Sequence, residues 1–405
     1  MFDISVRLKP LDLSKEESEE DQMGNTLSTK KKQNLNRRSK STAFKAKKNF
    51  YKQKKNNKDT KVTFEVSKNK LSVQTKKNFY EYTFNKVFKD TCENEEIYKE
   101  MIKKDLNKVL NGKWLTIMTY GTSGSGKTFT IFGDSFGEEK GIVFYTCEKL
   151  FKLFKKKKIT YEMNCCLLEI YNEQISNLLP NNKSKVDVFE NESKEMVLQN
   201  AERVKVKSAR QLINLVDKGA KSRHIAENFS NKRSSRSHMI VLLEIGFLYK
   251  GNMRVSKLAF LDLAGSERVV LDKKDLLIEG ANINRSLLAL TNCISILSEK
   301  KNNAYVPFRD SKLTRILKDF MNRENVIKFL VCLKQEKQFL EESLITLNYA
   351  FKAQKIEKKK NLIKLPTHSI TYYKHKIGQL EKELKLLRMK SSSVKKKSKK
   401  VKSII

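Results

Sequence analysis

The sequence predicts a three-layer α/β domain, and three observations carry the prediction. Apolar runs of strand length alternate with helical patterns from residue 62 to about residue 356. A segment of the form G-x-x-x-x-G-K-T joins one such apolar run to a helical pattern. Finally, 39% of the 405 residues are hydrophobic, enough to fill a sizeable core.

The elements follow in chain order. Residues 2–11 alternate apolar and polar and close near Pro10, which suits a first strand. From about residue 14 to 61 the chain is Glu-rich, then Lys-, Asn- and Ser-rich. It has too few apolar anchors to offset the entropy of ordering, so a disordered insertion is expected there. Strand-like runs follow at residues 114–120, 163–170, 240–247, 258–263 and 326–333. Helical patterns fall between them, at residues 95–110, 208–218 and 283–297. A basic linker comes after Ile356. Then Ile370, Tyr373, Ile377, Leu380, Leu384 and Leu387 form a short heptad seam. That seam reads equally as a homodimer contact through residues 370–390 and as a helix packing on its own domain. A Lys/Ser tail begins at Ser391. The expected division is residues 1–357, 358–390 and 391–405.

The formal net charge of +38 points to an acidic partner: nucleic acid, an anionic membrane or an acidic filament. Charge alone does not choose among them. The six cysteines form no C-x-x-C pair and mostly sit in apolar runs, which suits reduced core thiols. The start is no signal peptide, and no apolar run is long enough to span a bilayer, so a soluble intracellular protein is expected.

Residues 121–128 read Gly121, Thr122, Ser123, Gly124, Ser125, Gly126, Lys127, Thr128. This pattern predicts a loop whose backbone N–H groups wrap phosphates, with Lys127 on the β/γ oxygens and Thr128 on Mg²⁺. A nucleoside triphosphatase is the reading so far. Two further segments sharpen it. Residues 231–238 read Asn-Lys-Arg-Ser-Ser-Arg-Ser-His, a cluster of hydroxyl and guanidinium groups. Residues 262–267 read Asp-Leu-Ala-Gly-Ser-Glu and follow an apolar strand, which places Asp262 where a Walker-B carboxylate holds Mg²⁺. Gly265 leaves the backbone free to approach a γ-phosphate.

In that order after a phosphate loop, these segments resemble the two switches of kinesins. Residues 6–10 (Val-Arg-Leu-Lys-Pro), 169–173 (Glu-Ile-Tyr-Asn-Glu) and 306–314 (Val-Pro-Phe-Arg-Asp-Ser-Lys-Leu-Thr) are similar to kinesin segments too. The resemblance implies a P-loop NTPase motor domain with a central, mostly parallel sheet of about eight strands flanked by helices. It implies a microtubule-stimulated ATPase that uses ATP and Mg²⁺, with tubulin as partner and neither a membrane nor a specific nucleic acid. Cytoplasmic and cytoskeletal localisation, on microtubules and the spindle, follows.

Roles follow from the same resemblance. Arg7 and Pro10 would flank the adenine, and Tyr120 and Phe129 would lie beside the phosphate loop. Ser234 and Ser235 would approach Mg²⁺ and the lytic water. Arg236 and Glu267 would form the ion pair that closes one switch on the other, and Glu279 would help relay the proton. Lys300, Lys301, Arg309, Lys312 and Arg315 would face acidic tubulin.

Some stretches depart from the pattern. Phe129 stands where kinesins often carry His or Tyr, and the segment after Glu267 lacks the usual Gly-containing stretch. The linker after Ile356 lacks the usual docking residues. These departures leave open a non-walking depolymerase and a nucleotide-gated crosslinker beside the walking motor. Smaller details, such as residues 110–114 (Leu-Asn-Gly-Lys-Trp), lean toward the mitotic, cytokinesis-type branch.

Overall fold

The computed structural model describes residues 2–11, 62–134, 139–179, 185–229, 233–267, 274–298, 305–321 and 325–354, with the backbone alone at 2, 224–229, 233–234 and 274–284. The expected insertion, the heptad segment, the tail, Lys300 and Lys301 lie outside the described residues.

Fourteen strands among the described residues form two sheets. The large one has the order β10-β9-β8-β7-β12-β13-β6-β14-β1-β5, with β11 (Val204–Lys205) paired to β7. Its central members are β1 (Phe2–Leu8), β6 (Leu115–Tyr120), β7 (Tyr161–Tyr171), β12 (His238–Tyr249), β13 (Asn252–Asp262) and β14 (Val326–Leu333). Outside them lie β5 (Lys86–Phe88) on one side and β8 (Gln174–Asn177), β9 (Lys185–Glu190) and β10 (Met196–Gln199) on the other. Strands β2 (Thr63–Ser67), β3 (Lys70–Gln74) and β4 (Phe79–Thr83) form a separate antiparallel sheet.

The large sheet is mixed. Parallel pairing runs from β13 through β6, β14 and β1 to β5. From β13 outward on the other side the pairing is antiparallel. The sheet is also wider than the expected size, because short strands extend both edges.

Every residue of β6 and β14 is buried, which is why both read as mostly apolar runs, broken only by Thr116 and Thr119 in β6 and Lys328 in β14: a parallel strand in mid-sheet has helices on both faces. Period-2 alternation divides their side chains between two cores. Met118, Tyr120, Phe329 and Val331 join one, and Leu115, Ile117, Leu330 and Cys332 join the other. The first core is closed by α7 (Lys274–Ser298), α8 (Lys312–Leu317) and α9 (Leu340–Gln354), through Leu290, Leu313 and Leu347. The second is closed by α1 (Asn94–Met101), α2 (Leu106–Val109), α3 (Lys127–Phe132), α4 (Ile142–Lys156) and α5 (Ala209–Phe229), through Ile97, Ile131, Leu150 and Leu212. One further turn, α6 (Arg233–Arg236), precedes β12. Three layers result.

The helical pattern expected over residues 95–110 is broken into α1 and α2. The turn between them presents Asp105, which pairs with Lys108 at 2.5 Å and with Lys328 of β14. Lys328 is 5% exposed and also meets Asp3 of β1 at 2.5 Å. A buried cation in the middle of a strand needs such partners, and supplying one interrupts the helix.

All six cysteines are free and buried, and burial pushes their thiols up, that of Cys147 to about 12. Thiolate attack is therefore suppressed. Ellman's reagent should label the native protein slowly and all six thiols at once after unfolding in urea. Rapid native labelling would contradict this packing.

Candidate functional site

The phosphate loop hangs between β6 and α3, at the end of the sheet where β13 and β14 also finish. Its glycines are placed by geometry. Gly121, at φ +148°, would drive a Cβ into the Cys332 carbonyl, and Gly126 at φ +95° opens α3 in the left-handed region. Lys127 is buried, and its Nζ donates to the carbonyls of Gly121 at 2.9 Å and Thr122 at 2.8 Å. Burial lowers its pKa, while Asp262 and Glu267 pull it back up.

Strand β13 delivers Asp262 to this loop. Its Oδ2 accepts a hydrogen bond from Thr128 Oγ1 at 2.7 Å. The same oxygen takes Arg223 Nη1 at 2.7 Å. Asp262 Oδ1 and Ser125 Oγ are buried with no hydrogen-bond partner. Two orphaned oxygens beside a glycine cradle fit a magnesium-bound polyphosphate, since a cation and its waters would satisfy them.

The two switch segments meet at the loop. The Gly265 N–H donates to the Ser235 carbonyl at 2.8 Å, and the Ser266 N–H to the Gly121 carbonyl at 3.0 Å. The Ser123 N–H donates to Glu267 Oε2 at 2.8 Å, and the Ser123 hydroxyl bonds Oε1. The expected Arg236–Glu267 ion pair is not formed here, because the backbone and hydroxyl of Ser123 occupy the carboxylate. Arg236 and Ser235 sit half-buried nearby. Glu279 lies on α7 and Ser234 on α6, with side chains outside the described residues.

At the nucleoside end, Phe129 is 37% exposed and its ring lies over the Arg7 guanidinium at 5.4 Å. Arg7 itself is buried, donating to Asn94 Oδ1 at 2.6 Å, Thr130 Oγ1 at 2.5 Å and the Cys92 carbonyl at 3.1 Å. It therefore props up Phe129 rather than standing open. Pro10 is exposed. Tyr120 is not brought into the site. Its ring packs against Tyr349 at 4.8 Å and Phe329 at 5.6 Å, because its position in β6 points it at the α9 side of the sheet.

Sequence reasoning missed two residues. Arg223, on α5, is 2% exposed and donates to Ser237 Oγ at 3.0 Å and the Ser237 carbonyl at 2.6 Å, besides Asp262. Nothing in its Lys- and Arg-rich surroundings marked it, apart from its helical spacing after Val216 and Ala220. His238 closes the first switch motif, yet it had been given no role. Its Nδ1 accepts the Ala264 N–H at 2.9 Å, and its Nε2 lies 2.8 Å from Ser286 Oγ.

His238 is held neutral. Burial, with Arg223 adding to it, pushes its pKa down to about 3, against a pull upward from Asp262. The unfolded chain protonates this ring below about pH 6.5, where the folded one does not. Its contribution to stability is thus complete above about pH 6.5 and is lost as pH falls toward 3. Between pH 7 and 5, urea unfolding of His238→Asn should lose about 2 kcal/mol less stability than the wild type does. Equal losses would refute the neutral assignment.

The sequence model of the kinesin motor domain matches residues 7–356. The chain belongs to the kinesin motor domain family. Kinesin-like protein 5 of Schizosaccharomyces pombe is 32% identical over 336 residues, covering 77% of this chain and 38% of that protein. Kinesin-like protein KIN-8B of Arabidopsis thaliana is 33% identical over 335 residues, covering 80% and 41%. Chromosome-associated kinesin KIF4B of Homo sapiens is 33% identical over 335 residues, covering 79% and 27%. The chain thus spans well under half the length of these curated relatives. As a family, kinesin motor domains are microtubule-associated ATPases that bind nucleotide with Mg²⁺.

In this kinesin domain the expected track-side residues that are described, Arg309, Lys312 and Arg315, share one short stretch. A single 3-10 turn, Phe308–Asp310, leads into α8, whose cap Ser311 accepts the Thr314 N–H at 3.1 Å. The Arg309 side chain is 76% exposed. The Lys312 N–H donates to Glu173 Oε2 at 2.8 Å, and Arg315 keeps a buried, unpartnered Nε. Their charge is partly offset by Glu190, which pairs with Lys318 at 2.6 Å and Arg309 at 3.4 Å. No helix of the described residues is long and apolar enough to cross a membrane.

Proposed function

We propose that this chain hydrolyses ATP with Mg²⁺, is stimulated by microtubules, and couples turnover to force or movement along them. The observation that carries the reading is Asp262. One of its oxygens is bonded to the phosphate-loop hydroxyl of Thr128 and the other is buried without a partner. That arrangement suits a carboxylate that takes a share of a hydrated cation. Magnesium, when bound, neutralises charge on the β and γ phosphate oxygens.

The remaining roles belong to the chain's own groups. Thr128, Asp262 and Ser235 would hold the cation and its waters. The backbone N–H groups of residues 121–128 would wrap the phosphates, and Lys127 would exchange its loop carbonyls for phosphate oxygen. Phe129, supported by Arg7, offers a face to the base, and Pro10 flanks it. Gly265 would turn its N–H from the Ser235 carbonyl to the γ-phosphate, closing the switches. Arg236, Glu267 and Glu279 would then orient the attacking water and carry its proton. Phosphoryl transfer asks for this positioning and charge stabilisation more than for covalent chemistry.

Arg309, Lys312 and Arg315, with Lys300 and Lys301, would meet acidic tubulin. The domain would occupy residues 1–357, with a neck and heptad helix to residue 390 serving as a dimer contact. A cytoskeletal location, on the spindle or on transport tracks, follows from the partner. The lean toward the cytokinesis-type branch stays a reading of the sequence.

The test is steady-state ATPase with and without taxol-stabilised microtubules at two ionic strengths. Strong stimulation that weakens with salt is expected, as for exposed cations meeting an acidic surface. Glu267→Ala should cut the stimulated rate roughly 100-fold, as misplaced catalytic groups do. A wild type whose turnover ignores microtubules would sink the proposal.

A further inference from the structure

Beyond the last residue of β14, Leu333, the chain runs on beside the phosphate loop, and its first residue there is Lys334. Hydrogen bonds pin this stretch. The Lys9 N–H donates to the Leu333 carbonyl at 2.9 Å, Gln335 Nε2 to the Lys9 carbonyl at 2.7 Å, and Ser343 Oγ to the Lys334 carbonyl at 2.9 Å. The backbone of Lys334 is thus held between the end of β1 and the start of α9.

Its head group is not held in the same way. The ammonium sits 3.6 Å from the centre of the Phe339 ring and makes no hydrogen bond or ion pair among the described residues. Against its other side lies the phosphate loop. Gly124 has φ +73°, and a Cβ built there would meet Lys334 Cε at 3.5 Å and Nζ at 3.6 Å. The side chain is half-buried. Burial lowers its pKa; Glu336 opposes that pull, Lys9 adds to it, and Glu267 and Glu342 oppose it. Glu336 and Glu342 each keep a buried oxygen with no hydrogen-bond partner, so neither carboxylate has captured the ammonium.

A half-buried cation whose charge touches only an aromatic face is poorly compensated. Here it stands against a loop built to wrap phosphates. We propose that Lys334 is a second phosphate-binding lysine of this site, its ammonium leaving the Phe339 ring for a phosphate oxygen of the bound nucleotide, a role that rests on the function proposed above. The flexible four-carbon stem allows the swing, and three N–H donors suit an anionic oxygen. Lys127 approaches the phosphates from the start of α3, and Lys334 from the Gly124 side of the loop. A phosphate beside the ammonium would favour its charged form and lift the pKa that burial lowers.

Titration of the full chain with fluorescent Mg-ADP tests this without microtubules or turnover. Lys334→Met keeps a stem of similar length over Phe339 but removes the charge. It should bind Mg-ADP about tenfold more weakly at low salt, as expected for a lost charge-assisted hydrogen bond. The gap should narrow as ionic strength rises. Lys334→Arg, which keeps a cation, should stay within about threefold of the wild type. Nucleotide-free Lys334→Met should unfold in urea at or above the wild-type midpoint, because it buries no unpaired charge. The weaker binding is then not a folding defect. Affinity of Lys334→Met within about twofold of the wild type would overturn the proposal.

Two controls separate the phosphate role from others. Inorganic tripolyphosphate, which has no base or ribose, should compete with the fluorescent nucleotide about tenfold less well in Lys334→Met than in the wild type. Unchanged competition would place Lys334 on the nucleoside and overturn the phosphate assignment. If Lys334 served only to offset the Glu267 charge, its substitution would have no effect in a Glu267→Gln background; the full loss is expected there instead. A wild type that binds no Mg-nucleotide would sink the function proposed above together with this role. A wild type that binds, matched by Lys334→Met, would sink this role alone.

Discussion

Gly265→Ala should bring ATP turnover down by about 100-fold or more while the protein still folds and binds nucleotide. A Cβ at this position would lie inside contact distance of Ser123 Oγ and of both carboxylate oxygens of Glu267. Ser123 cannot withdraw easily, because its N–H and hydroxyl are the groups that bind Glu267. The added methyl must therefore push switch and loop apart. That removes the Gly265 N–H from reach of a γ-phosphate, where a positioned donor has its effect on the transition state. Binding should survive because Lys127, Thr128 and the loop amides are untouched. Single-turnover hydrolysis and fluorescent-nucleotide titration separate the two. A variant that turns over within tenfold of the wild type would show that the switch does not pivot at Gly265.

Arg223→Ala should cost about 3–5 kcal/mol of unfolding free energy, read from urea melts of variant and wild type. The guanidinium and Asp262 are 2% and 1% exposed and meet at 2.7 Å. Truncation leaves Asp262 buried with a charge that the Thr128 hydroxyl and the nearby Lys127 ammonium answer only in part. The buried carbonyl and hydroxyl of Ser237 lose donors as well. Arg223→Lys should recover only part of the loss, since an ammonium cannot copy the planar fork that spans Asp262 and Ser237. Adding Asp262→Asn to Arg223→Ala should recover part of the loss, because the uncompensated charge is then gone while Ser237 still lacks its donors. If Arg223→Ala melts like the wild type, the pair is not the strut that its geometry indicates.

The parts of this architecture that were legible in the sequence are those set by local chemistry. The phosphate loop is written in contiguous glycines, and the strands at residues 114–120 and 326–333 announce themselves because both of their faces are buried. The family followed from short motifs whose residues are neighbours in the chain. Other features were hidden because they depend on distant partners. The break between α1 and α2 answers to Lys328, far along the chain on β14. Arg223 looks like any helical cation until β13 brings Asp262 beside it. Tyr120 adjoins the phosphate loop in sequence, but its place in the pleat sends the ring to Tyr349. The Glu267 carboxylate was assigned to Arg236 by analogy, whereas Ser123 holds it in this structure.

The place of β6 in the sheet has a consequence for synthesis. The two switches are the near ends of one hairpin: Met239 pairs with Asp262, and the tight turn Lys250-Gly251 joins β12 to β13. Such a local pairing closes quickly. The phosphate loop has no such help. Its strand, six buried residues long, is flanked only by β13 and β14, which leave the ribosome much later. Until then a largely apolar strand awaits both neighbours, the kind of segment that aggregates or engages chaperones. Nucleotide binding should therefore appear only after β14 emerges, even though the residues that bind phosphate are made long before it.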